Sequence, residues 1–508
     1  MPKVTWASSA RFLWALVLVT LPVTSFRVMP FMGSGTSVRP LALYPLVLLL
    51  PVLFIRLKRG EIARPMPGAV TILLAFMIVA LALTAFGASF PPNELRGIDY
   101  ADRAIRAVVT LGIGLAFFMA AVWMNQDLSD LKFSVRWLLL GLAVDLAWAA
   151  VQFVGLNSGH RQVLRQIQNL FSVRGLVKNK RVSGFAFEPS WLAGQISSLY
   201  LPWLLAAVLM RVRSWDSGTK NPTDFGWSSW KRVSGFIEPV LLVGAVIGLL
   251  MTYSRSGLVI AALSGLVTFL LVGKEAWKIF WSWFLRGFDR HRWNNFLSTL
   301  QNLGLRMLLI GILLAFVIGA GVFLTDKGYI SAVIKADKSD IFAFAQDVYL
   351  GPRLAYSSAA MSAFFAHPLT GAGLGASGFW IYPNMPDWVL SGNPEIAQQL
   401  NPNSNLYPNP KNLFVRLLAE TGLVGFILFL SFYFNLFGEG LKLLKNESVK
   451  DRRSARWLAA AGFFALTSIF LQGISQDSFA MPEIWINLGI LAGSAGYFLS
   501  NAKAGNLP

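Results

Sequence analysis

The sequence predicts an all-α polytopic membrane protein with about twelve transmembrane helices, and three observations predict it. Of its 508 residues, 55% are hydrophobic and only 14% charged, against the roughly 25% charged residues of a water-exposed domain. The apolar residues come in long runs instead of the periodic stripe of a surface helix, and each run approaches the ~20 residues needed to cross a bilayer core. Lysines and arginines gather in alternate connecting loops, the asymmetry that orients a multispanning chain.

Taken in order, the apolar runs fall at 11–26, 41–55, 68–88, 104–124, 135–155, 187–210, 236–252, 256–273, 306–325, 412–437, 457–474 and 482–500. The first carries Lys3 and Arg11 ahead of its apolar core, as a signal peptide does. No A-x-A-like cleavage site follows, so it reads as an uncleaved helix. With the N-terminus in the cytoplasm the inner loops are 56–67, 125–134, 211–235, 274–305 and 438–456. All but the second are plainly basic, from Arg56, Lys58 and Arg59 in the first to Lys442, Lys445, Arg452 and Arg453 in the last. Both termini are then cytoplasmic. The chain divides into a bundle over 1–325 with a basic outer loop at 156–186, a large outer loop with short helices at 326–411, and a second membrane part at 412–508.

Composition also excludes chemistry. There is no cysteine, hence no disulfide or thiolate site. The three histidines, His160, His291 and His367, share no ligand spacing, so neither a metal nor a cofactor is expected. In a chain this apolar, a net charge of +19 reads as loop charge that orients helices, not as a nucleic-acid footprint.

One outer loop breaks the charge rule. Residues 156–186 carry Arg161, Arg165, Arg174, Lys178, Lys180 and Arg181 with no acidic residue. Val163, Ile167, Leu170 and Phe171 recur there at helical spacing, the pattern of a helix lying in the membrane interface. Anchoring to anionic headgroups explains this, as does a site for an anionic substrate such as a lipid pyrophosphate.

Three outward segments carry candidate chemistry. In Arg181–Ala193, Pro189 disfavours helix at Glu188 and suits the first helical turn, which makes Glu188 an N-cap at the membrane boundary. It is either a capping carboxylate or a general base beside the basic loop. In Thr252-Tyr253-Ser254-Arg255-Ser256-Gly257, an arginine at a membrane-edge turn is a functional candidate whose fork suits phosphate, against a snorkelling side chain. The third segment runs from Gly351-Pro352-Arg353 through His367 and the glycines 371, 373 and 375 to Asn409-Pro410-Lys411-Asn412. Its Gly-x-Gly-x-Gly run lacks the strand–turn–helix setting of a phosphate loop, and a tight turn accounts for it equally.

Together these segments resemble the O-antigen ligase and polysaccharide polymerase superfamily. The family pattern R-x-S-G-x-x-x-x-P corresponds to Arg181–Pro189, the S-R-S/G turn to Ser254–Gly257, and the glycine loop to His367–Gly375. N-P-H-N-x-x-L-x-x-x-x-E-x-G corresponds to Asn409–Gly422, and Met481–Gly489 resembles the last helix. The resemblance spans about residues 100–500 and implies a metal-independent glycosyltransferase of the bacterial inner membrane, with its site facing outward. The implied donor is an undecaprenyl-pyrophosphate-linked oligosaccharide. The implied acceptor is a sugar hydroxyl, on another lipid-linked repeat for a polymerase or on lipid A core for a ligase. A flippase and a chain-length regulator are the implied partners.

This sequence departs from the family at Lys411, where ligases carry a histidine. A lysine of ordinary pKa, about 10.4, is protonated and cannot act as a base. The expected roles are therefore Glu188 as base, with Arg255 and Lys411 on the phosphates. Arg181, Lys180, Tyr253, Arg353, His367, Asn409 and Asn412 are expected to bind substrate, and His367 is the second candidate base. The E-P-S stretch favours a polymerase over a ligase. A transporter would also have about twelve spans, but no internal repeat with matched broken helices is evident.

Overall fold

The fold comes from a computed structural model, which describes residues 5–29, 37–62, 68–174, 180–215, 227–285, 350–390, 394–401, 403–404, 406–446 and 451–504, with isolated positions between 304 and 344. It is helical throughout, with no strand among the described residues. The helices are α1 (Trp6–Thr20), α2 (Leu43–Lys58), α3 (Gly68–Gly87), α4 (Tyr100–Trp123), α5 (Leu128–Asn157) and α6 (Arg161–Phe171). α7 (Pro189–Met210), α8 (Trp227–Met251) and α9 (Arg255–Leu285) follow. After the outer-loop helices α10 (Gly351–Ala366), α11 (Ser377–Ile381), α12 (Asp387–Leu390) and α13 (Pro394–Leu400) come α14 (Leu413–Lys445), α15 (Arg452–Gly473) and α16 (Pro482–Ala504).

The expected ninth span, 306–325, falls where isolated positions alone are described; each of the other eleven falls on a helix. Among the described residues, seven helices are long and apolar enough to cross a membrane: α3, α4, α5, α7, the Arg255–Gly273 part of α9, α14 and α15. Their starts follow local chemistry. Asp99, Asp127 and Asp451 accept the third amide of α4, α5 and α15, and Thr5 closes a capping box on α1. The core is built of helix-on-helix packing, with α4 against α16, α3 against α14, and α15 against α7, α9 and α14. Small residues set the closest approaches. Gly489 and Gly493 lie on the carbonyls of Phe118 and Val122, where any side chain would collide.

Two departures from regular helix matter later. α7 contains a π-helical turn at Ile196–Tyr200, a feature frequent at functional sites. α14 kinks at Gly422, whose φ of 58° and ψ of −165° lie outside the helical range.

α6 lies where the sequence expects an amphipathic helix. Leu164 and Gln168 are buried, Gln168 accepting from Gln152 at 3.1 Å, while Val163, Ile167 and Leu170 remain exposed on the other side. The helix is held by its polar middle and leaves an apolar stripe unburied by protein. Lys178 lies outside the described residues.

Candidate active site

Helix ends define the site. Gly257 at the start of α9 packs on Ala193 of α7, and Gly194 of α7 packs on Gln472 at the end of α15. Gly473 packs on Leu413 and Phe414, where α14 begins. The N-termini of α7, α9 and α14 therefore gather around the C-terminus of α15. Each N-terminus presents the positive end of a helix dipole, which favours anions at the common end of the bundle.

Glu188 stands immediately before Pro189, at the N-cap of α7, as the sequence predicts. Its side chain makes no capping hydrogen bond to the helix. Instead Oε2 pairs with Arg174 at 2.6 Å, and Oε1 accepts from the Ser190 hydroxyl. The backbone leading to it is irregular and largely buried, so its amides need partners. Side chains supply them. Gln152 Oε1 accepts from Ser183 and Gly184 at 3.1 and 2.9 Å, and its Nε2 donates to the Gly184 carbonyl at 3.0 Å. Asp145 Oδ1 accepts from the Phe185 amide at 2.8 Å and Thr24 Oγ1 from Phe187 at 2.9 Å.

The basic residues arrive from two directions. Arg181 donates through Nε to the Thr252 carbonyl at 2.8 Å, and the Val182 amide bonds Met251. That pairing lays the Arg181 segment along the turn containing Arg255. Tyr253 takes a left-handed φ of 50° there, and Ser254 caps α9, so Arg255 becomes the first, exposed residue of the helix. Lys180 is exposed beside this turn.

From the other side, Arg353 at the start of α10 donates to the Ser475 carbonyl at 2.5 Å. Lys411 is left-handed, with φ of 54°, and its amide donates to Asp477 Oδ2 at 3.0 Å. The Lys411 ammonium lies 4.5 Å from the centre of the Tyr356 ring, a cation–π distance. Asn412 uses its Oδ1 to cap α14, accepting from Phe414 and Val415, and Asn409 is exposed.

Asp477 is buried, and burial pushes its carboxyl above the ordinary range, while the Arg416 guanidinium and the Lys411 amide pull it back. Arg416 donates to the Asp477 carbonyl at 2.6 Å and pairs with Glu420 at 3.0 Å; Glu420 also accepts from Ser377 at 2.7 Å. This network fastens the start of α14 to the connection after α15. Arg103 stacks 3.8 Å from the centre of the Tyr407 ring, and burial raises the Tyr407 hydroxyl even so.

The glycine run serves packing. Gly371 and Gly422 both have positive φ and sit backbone to backbone, the amides of Ala372 and Gly373 bonding the carbonyls of Ala419 and Glu420 at 2.9 Å. The loop docks into the kink of α14, more than two turns along the helix from Lys411. His367 caps the end of α10 and its exposed ring meets Trp380 edge-on. The structure thus brings Glu188, Arg181, Tyr253 and Arg255 to one side of the converging helix ends and Arg353, Lys411 and Asn412 to the other. His367 stays with the glycine loop.

Sequence reasoning missed the supports. Asp145 and Gln152 interrupt an apolar run seven residues apart, hence on one helix face, and that polar pair was a readable signal. The i,i+4 spacing of Arg416 and Glu420 was another. Among the described residues, no group of three or more histidine, aspartate or glutamate side chains could hold a metal ion.

No curated protein matches the chain. Residues 240–430, from α8 through the turn of Arg255, the outer-loop helices and the kink of α14, match the family model of the O-antigen ligases. That match covers the segment holding Arg255, Arg353, Lys411 and Glu420, and it supports membership of the O-antigen ligase and polymerase superfamily.

Proposed function

We propose that the protein is a polysaccharide polymerase of the bacterial inner membrane. It spans the bilayer about twelve times with both termini cytoplasmic, and it works on the outer face. The donor is an oligosaccharide on undecaprenyl pyrophosphate, and the acceptor is a sugar hydroxyl of another lipid-linked repeat. The acceptor oxygen bonds to the donor's anomeric carbon, the bond from that carbon to the pyrophosphate oxygen breaks, and undecaprenyl pyrophosphate leaves. Glu188 accepts the acceptor's hydroxyl proton. A flippase would deliver the repeats, and a chain-length regulator would act on the product.

The observation that carries this reading is the gathering of three helix N-termini with Arg255, Arg181, Arg353 and Lys411 around one end of the bundle. Positive dipole ends and fixed cations are what a departing pyrophosphate needs, and their preorganisation lowers the barrier without a metal. Glu188 stands at the same end, with both oxygens held by Arg174 and Ser190. Lys411 contacts phosphate in this scheme. The exposed stripe of α6 fits the outer leaflet, from which the lipid-linked substrates enter.

The test is transfer by the purified, reconstituted protein given an undecaprenyl-pyrophosphate oligosaccharide. A ladder of longer lipid-linked products, lost in Glu188→Gln and Arg255→Ala at normal expression, is the expected result. A single transfer to a different acceptor means a ligase. No product with any acceptor, together with movement of lipid or solute across the bilayer, means a transporter.

A further inference from the structure

α7 carries a proline in its interior. Pro202 has no amide to give the carbonyl four residues back, that of Ser198, and its ring crowds that oxygen. The helix answers with the π-turn Ile196–Tyr200, after which the Leu201 amide reaches five residues back to the Ile196 carbonyl. Ser198 and Leu199 are fully buried, so a carbonyl left open there meets no water and needs a partner from the protein.

That partner is Asn487 of α16, itself 2% exposed. Its Nδ2 donates to the Ser198 carbonyl at 2.7 Å and to the Leu199 carbonyl at 3.1 Å, and its Oδ1 accepts from the Trp203 indole at 2.7 Å. Both hydrogens of the amide are spent on the turn, and Trp203 sets which way the amide faces. In a regular helix backbone amides occupy such carbonyls, so what Asn487 satisfies is the turn itself.

The turn decides where the outer half of α7 points. One extra residue in a helix rotates everything beyond it by about 100° and shifts it by about 1.5 Å. With the turn in place, Gly194 packs on Gln472 and Ala193 on Gly257. The Ser197 hydroxyl donates to the Gly257 carbonyl at 3.1 Å, which ties α7 to the turn of Arg255. Glu188 stands about two helical turns further out on the same segment, where it meets Arg174 at 2.6 Å. In an unbroken helix that face would swing away from all of these neighbours.

With Glu188 read as the base, we propose that Asn487 is a positioning residue for the transfer reaction. By holding the Ser198 and Leu199 carbonyls it keeps the π-turn, and the π-turn aims Glu188 at the acceptor hydroxyl. Asn487 touches no substrate and acts through the rotation of α7. Contacts to the donor are built elsewhere, Arg353 and Lys411 being held at Ser475 and Asp477. Loss of Asn487 therefore lowers turnover and leaves donor binding in place.

The experiment compares the wild type with Asn487→Leu, close in volume but without either polar group, as purified and reconstituted full chains. With turnover counted per folded molecule, kcat is expected to fall roughly 10- to 100-fold while KM for the lipid-linked donor stays within about twofold. The chain has no cysteine, so Arg174→Cys with Glu188→Cys, joined by a short bis-maleimide, reports their approach without any need for activity. That cross-link is expected to form in the otherwise wild-type chain and to drop severalfold when Asn487→Leu is added. If Asn487→Leu does not fold, Trp203→Phe takes its place; it removes the indole donor, keeps an aromatic ring and should show smaller losses in both readouts. An unchanged cross-link yield, or a kcat that falls only in step with the folded fraction, would overturn the proposal. Loss of the cross-link on adding Asn487→Leu, where the wild type transfers to no acceptor, would uphold the placement of Glu188 by Asn487 and sink the transferase reading instead.

Discussion

Gly371→Ala tests whether the glycine run is a packing device or a phosphate cradle. Gly371 has φ of +66°, and an added Cβ would lie against the Glu420 carbonyl carbon and 2.5 Å from the amide nitrogens of Thr421 and Gly422. These are backbone atoms of the kink, which no side-chain rotation moves aside. A left-handed alanine costs roughly 1–2 kcal/mol, and the overlap about 1–3 kcal/mol. Loss of the two bonds from Ala372 and Gly373 to α14 adds roughly 1 kcal/mol each. The sum, about 4–7 kcal/mol, rivals the net stability of many whole domains. Gly159 supplies the control, since its φ is +82° and nothing lies within 4 Å of its added Cβ; Gly159→Ala carries the conformational cost alone. Thermal unfolding in detergent should show Gly371→Ala losing several times as many degrees as Gly159→Ala, with transfer activity falling in step with the folded fraction. If Gly371→Ala melts like the control while transfer disappears, the packing argument is wrong and the loop touches substrate.

Further predictions concern the start of α14. Lys411→Gly removes a left-handed side chain and should raise stability by about 0.5–1 kcal/mol while lowering transfer, a split that unfolding and activity measured on one preparation would reveal. Arg416→Met leaves Glu420, which is 2% exposed, without its partner and should cost about 3–5 kcal/mol. The double change with Glu420→Gln should recover much of that loss, and strict additivity in the double-mutant cycle would refute the coupling. Asp477→Ala frees the Lys411 amide and should weaken donor binding more than it lowers stability, read as a rise in KM larger than the fall in kcat.

Helix placement was legible because membrane spans announce themselves by length and apolarity, and α7, α14 and α16 begin within a couple of residues of the expected edges. Cap chemistry at Pro189 and Asn412 accounts for that precision. What holds the site was less legible. The bond from the Lys411 amide to Asp477 and the pairing of Arg174 with Glu188 join residues 66 and 14 positions apart, and no local pattern encodes such contacts. The polar residues that pair with irregular backbone, Thr24, Asp145 and Gln152, are isolated in sequence and acquire meaning only once the Arg181–Glu188 segment lies on them. The glycine run left two readings open, since its spacing imitates a phosphate loop, and its physical use is a tight turn in close contact with Gly422.

The parts that meet at the helix ends are spread over some three hundred residues of sequence, and the clasps that join them come late. Arg353 finds its acceptor at Ser475, Lys411 its anchor at Asp477, and Gly194 its neighbour at Gln472. During synthesis the basic turn of Arg255 and the carboxylate of Glu188 enter the bilayer long before those partners exist. A nascent chain therefore holds Glu188 and Arg181 by near neighbours from the start, while the clasps of Arg353 and Lys411 close only once the residues after α15 have been made.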